Sequence, residues 1–141
     1  MKQVLLILSL VIGILLFGCA GSTTPPHNPK DTTEAPAEYQ KITAERAKEI
    51  MDETDSWILL DVRTDEEFES KRIEGAILIP DYEISSRVEN EISDKDSVIL
   101  IYCRSGRRSA IAAHEMVDMG YTNVYDFGGI IDWPYDTISG E

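Results

Sequence analysis

From residue 39 to residue 141 the chain switches repeatedly between two side-chain periods, and this alternation restricts the fold more than any other feature. Three short apolar runs are strand candidates: residues 57–62 (WILLDV), which suit a strand buried on both faces, 76–79 (AILI), stopped by Pro80, and 97–102 (SVILIY), the strongest of the three. Between them lie stretches with helical spacing. Thr43 can cap a helix through Ala44, Ala47, Ile50 and Met51, with Arg46 on its outer face. Thr64 with Glu67 three residues later forms a capping box for a short helix ending near Lys71. Ile84, Val88 and Ile92 share one helical face, and residues 110–119 read as a helix stopped by Gly120. Residues 123–127 (NVYDF) give a last strand before Gly128-Gly129. Strands and helices in this order predict a single α/β domain, a central parallel sheet with helices on both faces.

The segment before this domain has a different character. Met1, Lys2 and Gln3 precede an apolar stretch over residues 4–17, too short for the ~20 residues of a spanning helix and suited to an export signal. Leu16-Phe17-Gly18-Cys19 resembles the bacterial lipobox, with the bulky Phe17 at a position where a smaller residue is usual. The resemblance implies cleavage before Cys19 and lipidation of that cysteine, which anchors the protein to a cell-envelope membrane on its extracytoplasmic face. A plain cleaved signal peptide and a short uncleaved anchor are the alternatives, and all three export the domain. Pro25, Pro26, Pro29 and Pro36 stand among Thr, Ser and Gly in the next stretch, which lacks the apolar groups to order itself. The expected organisation is therefore a signal peptide over 1–18, a flexible tether over 19–38 and a folded domain over 39–141. His27, alone in the tether, has no partners for a metal site.

Charge removes several function classes. With 26 acidic against 13 basic residues the formal net charge is −13, which argues against nucleic-acid binding by counterion release and against a polybasic grip on anionic lipid. Two cysteines, Cys19 and Cys103, do not make a disulfide scaffold. No metal-ligand constellation or glycine-rich nucleotide loop is present, so no cofactor is implied.

In an open parallel sheet the ligand site lies beyond the carboxyl ends of the strands. The first strand leads there to Asp61 and Arg63, and the run at 97–102 leads to Cys103, Arg104, Ser105, Gly106, Arg107, Arg108 and Ser109 before a helix begins. Backbone N–H groups and the helix N-terminus then point at the sulfur, with three arginines nearby. Both effects favour thiolate over thiol and lower the pKa below the ~8.5 of a free cysteine. Asp61 and Arg63 read first as a pair pinning neighbouring loops, ahead of direct substrate contact. His114 lies eleven residues beyond Cys103, two to three turns down the helix, and reads as an ordinary surface residue rather than a base for the thiol. Trp57 and Trp133 serve the core and the domain edge.

Four segments, in order, carry a further identification: Leu60-Asp61-Val62-Arg63 with Glu67-Phe68; Ile73-Glu74-Gly75-Ala76 leading to Ile79-Pro80; the loop from Cys103 to Arg108; and Gly128-Gly129-Ile130 with Trp133. Together they resemble a rhodanese-like domain, the sulfurtransferase family, over essentially all of the globular part. The resemblance implies that Cys103 takes sulfane sulfur from a small anionic donor such as thiosulfate, becomes a persulfide, and passes the sulfur to a thiol or cyanide-like acceptor. Backbone N–H groups from Arg104 to Ser109 would cradle the persulfide, and some of Arg104, Arg107 and Arg108 would bind the donor. Related phosphatases and arsenate reductases need an arginine six positions after the cysteine to fork onto a tetrahedral oxyanion; here that position is Ser109. The chain departs from the usual Gly-His-Ile-Pro-Gly-Ala at Lys71-Arg72-Ile73-Glu74-Gly75-Ala76, which bears on local packing. The alternative function is a non-catalytic sulfur-carrier or protein-interaction module. No protein partner is identifiable, and with no second thiol in the domain the sulfur acceptor must come from outside.

Overall fold

The computed structural model describes residues 38–140; the expected signal segment, Cys19 and nearly all of the tether lie outside them. In chain order the elements are β1 (Gln40–Lys41), α1 (Ala44–Glu53), β2 (Ile58–Asp61), α2 (Asp65–Ser70), β3 (Ala76–Leu78), α3 (Ile84–Glu91), β4 (Ile99–Cys103), α4 (Arg107–Asp118) and β5 (Val124–Gly129). Single 3₁₀ turns at Asp81–Glu83 and Ile130–Asp132 complete the described chain.

All strand pairs are parallel and the sheet order is β1-β5-β4-β2-β3. The chain moves outward on one side from β2 to β3 and on the other from β4 to β5. The direction therefore reverses between β2 and β4, whose carboxyl ends carry Asp61 and Cys103.

Strand alternation divides the core in two. Ile99, Ile101 and Cys103 point to the face covered by α3 and α4, where they meet Leu60, Val62, Ile84, Val88, Ala112 and Met116. Leu100 and Tyr102 point to the other face, with Phe127, Ile130 and Trp133, under Ala44, Ala47 and Ile50 of α1. Every residue of β4 is buried, as a central strand covered on both faces requires.

Local signals account for the helix starts. Thr43 accepts the Arg46 N–H at 3.2 Å at the head of α1, and both bonds of the Thr64–Glu67 capping box form at the head of α2. The expected element boundaries shift by one to three residues, and two of the shifts have a local cause. The strand expected at 57–62 spans Ile58–Asp61, because Trp57 turns its indole N–H back to the Met51 carbonyl at 3.0 Å. The helix expected from residue 110 begins at Arg107, because Gly106 turns the chain at φ 95°, a conformation that favours glycine. Arg107 and Arg108 are thereby first-turn helix residues. The two-residue edge strand β1 is exposed and carries no apolar pattern, so nothing in the sequence marks it.

Candidate active site

Cys103 is the last residue of β4 and is 1% exposed. Three residues later Gly106 opens α4, so the sulfur sits at the amino end of a 12-residue helix whose first amides lack intrahelical partners. The Gly106 N–H donates to Sγ at 3.0 Å. Burial opposes the thiolate, but the Ser109 N–H and hydroxyl and the amides of Ser105 and Gly106 outweigh it and hold the thiol below its ordinary pKa. The expected direction is therefore found, with backbone amides and one hydroxyl as its main causes.

The three loop arginines separate. Arg108, half-buried, forks onto Glu67 through Nη1–Oε2 at 2.8 Å and Nη2–Oε1 at 2.9 Å. This geometry ties α4 to α2 and occupies the guanidinium that the sequence offered to a donor. Glu67 also accepts the Thr64 N–H at 3.2 Å, so one carboxylate caps α2 and fixes Arg108. Arg104 and Arg107 are exposed at the loop. Glu67 was legible as a capping residue but not as the partner of an arginine 41 positions away.

Asp61 and Arg63 meet directly in the interior. Asp61 is fully buried and Arg63 is 4% exposed; Arg63 Nη2 donates to Asp61 Oδ2 at 2.6 Å and Nε to Oδ1 at 2.9 Å. Nη2 also donates to the Lys71 carbonyl at 2.6 Å, and the guanidinium lies 5.6 Å from the Tyr102 ring centroid. The Tyr102 hydroxyl accepts the Ile73 N–H at 3.3 Å. Burial and the Asp61 carboxylate push this phenol above its ordinary pKa. The pair thus binds the end of β2 to the Lys71–Ile73 segment, where the chain departs from the usual family motif, and serves as scaffold.

His114 does not join the sulfur. It is exposed on α4 and packs edge-on against Tyr39, ring centroids 5.2 Å apart. Trp133 packs against Phe127 and Tyr135, and the half-buried Trp57 flanks the same core. A cavity of about 520 Å³ lies between α1 and the Trp133–Asp136 stretch, and Cys103 is not among its lining residues. A recess of about 270 Å³ beside the cysteine loop is lined by Arg63, Glu67, Lys71, Arg104 and Ile131.

The glycine pair after β5's apolar residues forms the back of the loop. A Cβ on Gly129 would stand 2.3 Å from the Arg104 carbonyl oxygen and 2.5 Å from Ser105 Cα, so only glycine permits the observed approach.

Comparison with known proteins agrees with this architecture. Residues 43–134 match the family model of the rhodanese-like domain. The thiosulfate sulfurtransferase PspE of Escherichia coli (strain K12) is 36% identical over 84 residues, 60% of this chain and 79% of the relative. A sulfurtransferase of Allochromatium vinosum is 34% identical over 94 residues, 66% of this chain and 86% of the relative. Among solved structures, a rhodanese with anions from E. coli superposes with a TM-score of 0.57 at 33% identity, over 60% of this chain and 100% of that one. The order of the four motif segments, the five-stranded parallel sheet and these relatives agree, and the chain belongs to the rhodanese-like domain family.

Proposed function

We propose that this protein is a sulfurtransferase in which Cys103 carries sulfane sulfur from a small anionic donor of the thiosulfate type to an external thiophilic acceptor. The observation that carries the reading is the seat of Sγ, 3.0 Å from the Gly106 N–H at the amino end of α4 and among the amides and hydroxyl that favour its anion. The Cys103 thiolate attacks the outer sulfur of thiosulfate; a new S–S bond forms, the old one breaks, and sulfite leaves with its electron pair. The terminal sulfur of the persulfide then occupies the amide cradle of Arg104 to Ser109. An acceptor thiolate or cyanide attacks that sulfur, forming a persulfide or thiocyanate, and the Cys103 thiolate returns as leaving group. In this mechanism Arg104 and Arg107 receive the sulfite end of the donor, while Arg108 acts through Glu67 to hold the loop.

Because the nucleophile is the thiolate, kcat/KM for thiosulfate is expected to rise with pH through the Cys103 pKa, with its midpoint below the ~8.5 of a free thiol. Thiocyanate release at saturating cyanide measures this profile, and a midpoint at or above the free-thiol value would count against the reading. The same depressed pKa contributes stability that is fully present above the unfolded-state thiol pKa and is lost as pH falls through the lower folded value.

We further propose that the domain works on the extracytoplasmic side of a membrane, held there by lipidated Cys19. This reading is supported by the apolar residues 4–17 and the sequence Leu16-Phe17-Gly18-Cys19. Cys19→Ala is expected to release the protein from the membrane fraction or leave its signal uncleaved; unchanged processing and retention would contradict a lipid anchor.

A further inference from the structure

Asp126 is a fully buried carboxylate in β5 with one oxygen satisfied and one not. Its Oδ1 accepts the Gly128 N–H at 3.0 Å, and its Oδ2 is buried without a hydrogen-bond partner among the described residues. Such an atom costs stability, and an apolar strand residue would avoid that cost. Strand alternation puts Asp126 on the face of Val124, under α4.

The bond to Gly128 spans an irregularity in the sheet. Ile101 pairs with Asp126 but Cys103 pairs with Gly129, so two steps on β4 face three on β5. The extra residue is absorbed by Gly128 at φ 89°. The Asp126 side chain thus closes a turn onto the N–H two residues ahead and braces the bulge.

The bulge reaches all three residues whose groups hold the thiolate. The Gly128 carbonyl lies 3.2 Å from Ser109 Oγ. Gly128 Cα stands directly behind Gly106, where an added Cβ would be 3.3 Å away, and Gly129 abuts the Arg104 carbonyl and Ser105 Cα. We propose that Asp126 is a positioning residue of the sulfur-transfer site: by bracing the Gly128-Gly129 bulge it holds Ser105, Gly106 and Ser109 in line with the Cys103 sulfur. The role in sulfur transfer rests on the function proposed above; the role in aligning the cradle does not.

The sign of the effect distinguishes bracing from simple charge. Arg108 on α4 feels the charge of Cys103, of its partner Glu67 on α2 and of Asp81 in the 3₁₀ turn, and Arg104 and Arg107 are exposed at the loop. None of these changes when residue 126 is altered. Removing a buried negative charge acting through space would lower the Cys103 pKa, whereas loosening the cradle raises it.

The test is the pH dependence of iodoacetamide alkylation of Cys103 in the full-length chain, read on the Cys103 peptide by mass spectrometry. Asp126→Ala is expected to raise the alkylation midpoint by about 0.5–1 pH unit, the size of one ordinary hydrogen bond. Asp126→Asn, which keeps an acceptor for the Gly128 N–H, is expected to restore it. If the alanine variant does not fold, Asp126→Val, a strand-favouring side chain without an acceptor, replaces it with the same expected shift. A lowered midpoint, an asparagine variant shifted as far as the alanine one, or an unmoved midpoint in a folded variant would overturn the proposal. Alkylation reads the thiolate whether or not sulfur is transferred. A chain inactive towards thiosulfate that still shows the shift would therefore refute the proposed function and leave the positioning role standing.

Discussion

Cys103→Ser is expected to lower thiocyanate formation from thiosulfate and cyanide by about 10³-fold or more, to the level of the uncatalysed exchange. The hydroxyl keeps the shape of the side chain and remains within reach of the Gly106 N–H, so the cradle has little reason to rearrange. What disappears is the nucleophile, because the surrounding amides cannot bring a serine hydroxyl near neutrality and an oxygen cannot carry the sulfane sulfur as a persulfide. The sequence contains one other cysteine, Cys19, so the corresponding Cys19 variant of the purified protein provides the control. Activity within tenfold of wild type in the Cys103→Ser chain would remove Cys103 from the mechanism.

The second large effect falls on stability. Asp61→Ala is expected to destabilise the domain by about 3–5 kcal/mol, because it leaves the Arg63 guanidinium buried with the Lys71 carbonyl as its remaining partner. Burial alone disfavours the charged guanidinium, and the Asp61 carboxylate more than compensates. A domain of this size has about 5–15 kcal/mol in total, so the loss lowers Tm by roughly 12 °C or more. Thermal and urea unfolding of the two proteins measure it. The double variant Asp61→Ala, Arg63→Met is expected to recover part of the loss, since it removes the stranded charge as well. A single-variant cost under ~1 kcal/mol would show that the pair is solvated and does not tie β2 to the segment at Lys71–Ile73.

Sequence patterns carried the parts of this fold that depend on nearby residues. The runs that became β2 and β4 are apolar because both faces are covered, and the caps at Thr43 and Thr64 act within three residues. The cysteine loop was legible for the same reason: a strand end, a glycine turn and a helix start are adjacent in sequence. Contacts between distant segments were not legible. Arg108 looks like a donor-binding cation until α2 brings Glu67 to it. Asp126 looks like a polar interruption of a strand until the register with β4 reveals the bulge. Of the two sources of thiolate stabilisation expected from the sequence, loop amides and arginines, the amides of Ser105, Gly106 and Ser109 carry it; the support that Gly128 and Gly129 give them from another strand was not legible. Ser109 was read as the end of the amide cradle and as the position lacking a phosphatase arginine; in the fold it is buried, and its hydroxyl as well as its N–H favours the thiolate.

The central claim is that Cys103 takes up a sulfane sulfur atom. Mass spectrometry of the purified full-length protein after incubation with thiosulfate tests it most directly, with fragmentation to locate the change. The expected result is a gain of one sulfur atom on the Cys103 peptide that disappears on adding cyanide. A Cys103 peptide of unchanged mass after thiosulfate, in a protein that still forms thiocyanate, would contradict it.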